Sequence, residues 1–353
     1  MRITSSIAFG LLGLALTASA NVASAQTTPK IVMEEFTVPA KDDPSIQLYV
    51  RNKRPEGTNQ FGAERTVVYV HGATYPSETA FDLQLGGFSW MDHIASRGYD
   101  VYLLDLRGYG RSTRPKEMGQ PAEANEPIVN TEVARRDVGA VVDHILQRRG
   151  IQKVNLIGWS WGTSTMASYT AENPDKVARL VLYAPQWIRS TPSPIQAQAK
   201  LGAYRTVKRE AAFDRWVNGV PEDKKASLIP AGWFDAWADA TFATDPVGSA
   251  QNPPVLRAPN GVMEDGALYW SAGKPVYDPA KITVPTLLLV GEWDRDTPPY
   301  MAQTLFPLLT NAPAKRLVMI GEATHTVIME KNRMQLFNEV QLFLDEGLDQ
   351  SKS

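Results

Sequence analysis

The sequence predicts an α/β protein built on a mostly parallel sheet, on three observations. Short apolar runs end in turns that carry polar groups: Thr66-Val67-Val68-Tyr69-Val70 into His71-Gly72, Val101-Tyr102-Leu103-Leu104 into Asp105-Leu106-Arg107-Gly108, and Val154-Asn155-Leu156-Ile157 into Gly158. Helical patterns separate these runs, and continuous apolar strands are what a sheet covered by helices on both faces requires. The alternation stops over residues 186–282 and then resumes, as in one domain with an insertion and unlike two domains in series.

In chain order, Arg2 and the apolar run 7–16 lead to Ala23-Ser24-Ala25, the layout of a secretory signal cleaved before Gln26. The run is shorter than the roughly 20 residues a spanning helix needs, so export to the periplasm or medium is expected, without stable membrane insertion. Residues 31–38 and 46–52 alternate like an opening antiparallel pair. Residues 88–97 read as a short helix. Over 131–149, Val133, Val138, Val141, Val142 and Ile145 share one side of a helix that Gly150 ends. Leu180-Val181-Leu182-Tyr183 is another strand, stopped at Ala184-Pro185. Within 186–282, Pro and Gly are frequent and Trp187, Trp216, Trp233, Trp237 and Trp270 cluster. A strand at 286–290, a helix at 301–309, a strand at 317–320 and a helix at 329–344 complete the core. The chain divides into a signal (1–25), a core (26–185 and 283–353) and an insertion (186–282).

Composition excludes several functions. A net charge of −2 over 353 residues gives no electrostatic case for nucleic acid. Cysteine is absent, which removes disulfides, thiolate metal ligands and a thiol nucleophile. No metal or organic cofactor is implied.

The strand ends meet along one edge, where open α/β sheets bind ligands. Gly158-Trp159-Ser160-Trp161-Gly162 lies there between a buried strand and a helix. A serine presented at the tip of so tight a turn needs small neighbours two residues either side, and glycines supply them. Its hydroxyl is a weak nucleophile without a base. Of the four histidines, His144 and His93 fall in helices and read as structural near a surface. His71, followed by Gly72, suits the shaping of a turn. His325, in Gly321-Glu322-Ala323-Thr324-His325, follows the last strand on the same edge and is the candidate base. A carboxylate must orient it. Asp294 in Gly291-Glu292-Trp293-Asp294-Arg295-Asp296 lies a full turn beyond its strand and is preferred, with Asp296 as the alternative. The backbone amides of Trp161 and Ala73 are the candidate oxyanion donors.

With these pieces in place the chain resembles the α/β-hydrolase superfamily over about residues 31–344, the insertion apart. The resemblance rests on His71-Gly72, on Asp105-Leu106-Arg107-Gly108-Tyr109-Gly110-Arg111-Ser112, on the serine turn, on residues 291–294 and on His325. It implies an α/β-hydrolase fold: an eight-stranded, mostly parallel sheet flanked by helices, with a helical cap inserted after the sixth strand. It also implies a structural role for Asp105 and Arg107, and the order Ser, Asp, His is that superfamily's order. Ser160-Trp161-Gly162 and residues 107–112 resemble the branch containing proline iminopeptidases. The chain departs from that branch at Trp159 and at Gly72-Ala73-Thr74-Tyr75-Pro76.

A serine nucleophile implies an acyl-enzyme and a small-molecule ester, lactone or amide as substrate. The expectation is an esterase or lactonase. An aminopeptidase would need cap carboxylates for the substrate ammonium, with Glu210, Asp214, Glu222, Asp223 and Asp235 available. A catalytically silent binding module is the third reading.

Overall fold

A computed structural model describes residues 29–193 and 200–349. The signal expected at 1–25 lies outside the described residues. No helix among them is long and apolar enough to cross a membrane.

The opening residues pair as expected, β1 (Ile31–Pro39) antiparallel to β2 (Gln47–Pro55). β3 (Thr66–Val70), β4 (Asp100–Leu104), β5 (Val154–Trp159) and β6 (Val177–Tyr183) follow. A separate antiparallel ribbon, β7 (Tyr204–Lys208) with β8 (Val255–Pro259), precedes β9 (Thr286–Gly291) and β10 (Lys315–Ile320). The eight-stranded sheet runs β1-β2-β4-β3-β5-β6-β9-β10, parallel from β4 onward. The chain turns to one side of β3 for β4 and to the other for β5, which opens a crevice at the strand C-termini.

The pleat explains why apolar runs, and not alternating ones, encode these strands. Val68, Val70, Tyr102, Leu104, Leu156 and Leu182 pack into a core on one face. Their neighbours Val67, Tyr69, Val101, Leu103, Ile157 and Val181 pack into a second core on the other. The helix Thr131–Arg149 covers the first face through Ala134, Val138, Val141, Val142 and Ile145. The Asn130 side chain caps it by accepting from the Val133 amide at 3.1 Å, and Gly150 ends it at φ 65°.

Several boundaries differ from the sequence reading. The helix expected at 88–97 is confined to Trp90–Ala95, started by a Ser89–Asp92 capping box. The last helix begins at Arg333, because Val327–Met329 forms a 3-10 turn. His93 is buried against Phe337, with ring centroids 5.4 Å apart, and not near the surface. Between β6 and β9 the helices Arg209–Trp216, Glu222–Leu228 and Trp233–Ala243 are joined by the ribbon. Its strand β7 is half exposed and carries Arg205 and Lys208, so it lacks the apolar run that marks the buried strands.

The turn after β4 is braced by charge. Asp105 accepts from the Ser77 amide at 2.8 Å and the Arg111 amide at 3.1 Å. Arg107 forks onto Asp137, at 3.0 Å from its Nε, and reaches Asp42 at 2.6 Å. Asp137 is fully buried. Arg107→Ala therefore leaves a buried carboxylate without its partner and is expected to cost about 3–5 kcal/mol in denaturant unfolding. The double change Arg107→Met with Asp137→Leu should cost less than the single one.

Candidate active site

Ser160 sits between the end of β5 and the helix Trp161–Glu172 with φ 58° and ψ −122°, a backbone conformation that side chains rarely adopt. Packing enforces it. A Cβ on Gly162 would come within 2.5 Å of the His71 carbonyl, and one on Gly158 would strike the Gly162 carbonyl. One on Gly72 would approach the Ser160 Cβ at 2.9 Å. The serine amide donates to the Tyr183 carbonyl at 2.9 Å, fixing the turn to β6. The glycine spacing is thus a record of three backbones pressed together around one hydroxyl.

His325 follows β10, and its Nδ1 lies 2.8 Å from Oδ2 of Asp294. The aspartate is 1% exposed and has its own supports: the Thr297 amide donates to Oδ1 at 2.8 Å and the Thr297 hydroxyl to Oδ2 at 2.9 Å. A proton held on Nδ1 by this carboxylate leaves Nε2 as the acceptor. Burial works against the imidazolium, but Asp294, and Asp296 beyond it, more than offset that and hold the His325 pKa above the ordinary range. The other acids of the turn are engaged elsewhere. Asp296 takes a forked bond from Arg215 Nε, 2.9 Å to each oxygen, and Glu292 accepts the Glu322 amide at 2.9 Å.

The remaining histidines are accounted for. His71 donates from Nδ1 to the Gly72 carbonyl at 2.7 Å and accepts the Leu106 amide on Nε2 at 3.2 Å. Burial pushes its pKa down to about 4, so it stays neutral and ties the β3 turn to the β4 turn. His93 is buried as described, and the partly buried His144 packs against Phe36 at 5.3 Å.

Trp161 begins its helix, where the first amides have no intrahelical acceptor. Ala73 lies in the turn after β3, against Ser160. Neither amide has a protein acceptor among the described residues. The Ala73 carbonyl is held on its far side by the Tyr109 hydroxyl at 2.9 Å and by Arg205 Nη2 at 2.6 Å.

Sequence reasoning missed the residues that position His325. Trp159 Nε1 and the Tyr183 hydroxyl both donate to the His325 carbonyl, at 3.0 and 2.7 Å. One is the variable residue of the serine motif and the other the last residue of β6. Neither carries a signal without the fold.

Ser160, Ala73, Arg215 and Asp296 stand where two cavities meet. One is a slot of about 20 Å³, room for about one water, reached by His325 and walled by Ala212, Trp216 and Trp237. Trp216 and Trp237 meet edge to face at 5.2 Å, so they form core and wall at once. The other is a chamber of about 620 Å³ on which Arg189 and Trp270 open. The carboxylates Glu210, Asp214, Glu222, Asp223 and Asp235 line neither and are exposed. Among the described residues no cluster of His, Cys, Asp and Glu could hold a metal.

Residues 65–332 match the family model described as alpha/beta hydrolase fold. A 2-hydroxy-6-oxononadienedioate/2-hydroxy-6-oxononatrienedioate hydrolase of Klebsiella pneumoniae is 32% identical over 34% of this chain, spanning 35% of that protein. Similarly, the match to mouse lipase member N spans 32% of it, so the chain covers about a third of the length of these relatives. Human lipase member K is 21% identical over 89% of this chain and 88% of its own. In fold, the chain is similar to a thermophilic esterase from Thermogutta terrifontis, with a TM-score of 0.54 at 17% identity over 89% of this chain and 98% of that one.

The His325 turn rests on a second buried acid. Glu330 accepts the Thr324 amide at 3.0 Å and Trp216 Nε1 at 3.0 Å, and burial pushes its pKa up to about 7. A folded-state pKa above the unfolded value of about 4.3 means the folded form holds the proton longer, so stability is lost as pH rises from about 4 through 7. Glu330→Gln should flatten that fall, which thermal unfolding measured at pH 4.5, 6 and 8 would read out directly.

Proposed function

Because the chain belongs to the α/β-hydrolase family, we propose that it cleaves a carboxylic ester or lactone through an acyl-enzyme on Ser160, with His325 as general base and Asp294 as its orienting acid. The observation that carries this reading is the His325–Asp294 pair at 2.8 Å, in the slot that the strained Ser160 also lines. The names of the relatives, lipases and an esterase among them, agree with an ester substrate.

In the proposed sequence, Nε2 of His325 takes the Ser160 proton as Oγ bonds to the substrate carbonyl carbon. The Trp161 and Ala73 amides stabilise the oxyanion, which is where preorganised donors contribute most. The tetrahedral species collapses, the imidazolium gives its proton to the leaving alkoxide, and the acyl group stays on Ser160. A water then gives a proton to His325 and its oxygen to the acyl carbon. The second collapse returns the proton to Ser160 and releases the acid.

Residues 186–282 act in this reading as a cap that shapes the chamber. An aminopeptidase of the proline iminopeptidase type is disfavoured: the candidate ammonium-binding acids face outward, and the carboxylate on the cavity wall, Asp296, is neutralised by Arg215. A silent binding module is disfavoured because no member of the constellation is missing. The proposal extends to export, with the mature chain starting at Gln26 and reaching the periplasm or medium, which N-terminal sequencing of the secreted form would check.

Ser160→Ala should lower kcat/KM on short acyl esters by at least about 10⁴-fold with folding intact, and should abolish fluorophosphonate labelling. Full turnover by this variant would end the proposal. An imidazolium cannot accept a proton, so activity should fall on the acid side at a pH above that of an ordinary histidine. Asp294→Asn removes the carboxylate that raises the His325 pKa. It should move that acid limb to lower pH while cutting kcat by about 10²–10⁴-fold, read from the pH–rate profile.

A further inference from the structure

The charges around Ser160 do not cancel. Arg215 is matched by Asp296 through its forked bond. Arg189, which also opens on the chamber, forms no ion pair among the described residues. It donates to two neutral backbone carbonyls, those of Pro192, at 3.3 Å, and Asp296. Arg205 lies behind the Ala73 turn and has only neutral acceptors too: the carbonyls of Ala73 and Pro259 at 2.6 and 2.5 Å, and the Thr74 hydroxyl at 3.0 Å. A cation withdrawn from water without a counter-ion is costly unless something anionic arrives to complete it. Burial holds both guanidinium pKa values below the ordinary arginine value, although their protons stay on at any working pH. The charge therefore cannot be shed by deprotonation.

We propose that the chamber beside Ser160 is a subsite for an anionic group of the substrate, a carboxylate held by Arg189, so that the enzyme prefers esters or lactones bearing a free acid. A guanidinium is suited to this because its fork matches a carboxylate in two parallel bonds. Gln186 and Ser271 on the chamber wall add neutral polar groups. The slot on the other side of Ser160 is small and walled by Trp216 and Trp237, so the charged part of the substrate has one place to go. The five outward-facing cap acids leave the chamber cationic, the opposite of what an ammonium-bearing substrate needs. The inference rests on the hydrolase reading above.

Two pairs of esters test it in the full mature chain. Monomethyl glutarate against dimethyl glutarate places the carboxylate on the acyl side. A second pair, 4-acetoxybenzoate against phenyl acetate, places it on the leaving side. In the native enzyme kcat/KM for the acid member of at least one pair should exceed that of its neutral partner by tenfold or more. The preference should shrink at high salt, as an ionic contact with an open chamber would. Arg189→Gln should bring the ratio toward one, and Arg189→Lys should restore part of it. Calorimetric titration of the Ser160→Ala protein with monomethyl glutarate and 4-acetoxybenzoate reads the subsite without turnover. Binding there should weaken at least tenfold in the Arg189→Gln double variant. Ratios at or below one in both pairs, or a preference that Arg189→Gln leaves intact, would overturn the subsite while hydrolysis of neutral esters keeps the enzyme reading standing. Failure to hydrolyse any of the four, with no fluorophosphonate labelling, would instead strike the enzyme reading, and the titration would still decide whether Arg189 binds the acid.

Discussion

The backbone of Ser160 is the constraint around which the rest of the site is arranged. A φ of 58° followed by ψ of −122° is an arrangement that an isolated chain rarely visits, and conformations of this kind cost of order 1–3 kcal/mol. It persists because the surroundings over-determine it. The β3 turn presses from one side through Gly72, the following helix from another through Gly162, and β6 holds the serine amide. Remove any of these contacts and the residue could relax to an ordinary turn, with its hydroxyl no longer on the line where β3, β5, β9 and β10 end. The energy for holding it comes from two apolar cores on either face of the sheet, which make the strand ends effectively immovable.

The imidazole side of the site works by a different economy. Asp294 and His325 leave from adjacent parallel strands, so the sheet register brings their turns together before any side chain interacts. Side chains then refine the position: Thr297 fixes the aspartate, while Trp159 and Tyr183 hold the histidine through its own carbonyl. A polar ring placed this way keeps Nδ1 committed to a carboxylate while the side chain lines the slot. Glu330 beneath the same turn is buried, and the Asp294 carboxylate adds to the burial that raises its pKa.

Much of this was legible in the sequence because the responsible interactions are local. Buried parallel strands write themselves as apolar runs, and a strained strand-to-helix turn demands glycines at fixed offsets. Gly150 ends its helix where the sequence reading placed the end. What stayed illegible depends on distant partners. The role of Trp159 needs His325, 166 residues on, and β7 forms only because β8 arrives about fifty residues later. His93 reads from its short helix as lying near a surface and is buried because the last helix brings Phe337 over it. The pairing of Arg215 with Asp296, and the lack of such a partner for Arg189, cannot be read from spacing at all.

The residues between β6 and β9 leave after Tyr183, at the C-terminal end of one strand, and rejoin at Thr286, the N-terminal end of its parallel neighbour, which pairs with Leu180. Adjacent strands lie about 4.8 Å apart and rise about 3.3 Å per residue, so paired strands hold the two ends of this excursion at a fixed offset of roughly 10 Å. A detour whose ends are each fixed in paired strands can lengthen, shorten or be exchanged without shifting the register of any other strand, and its closure cost grows only slowly with its size. The architecture thereby uncouples the strands that must stay fixed from the excursion between β6 and β9.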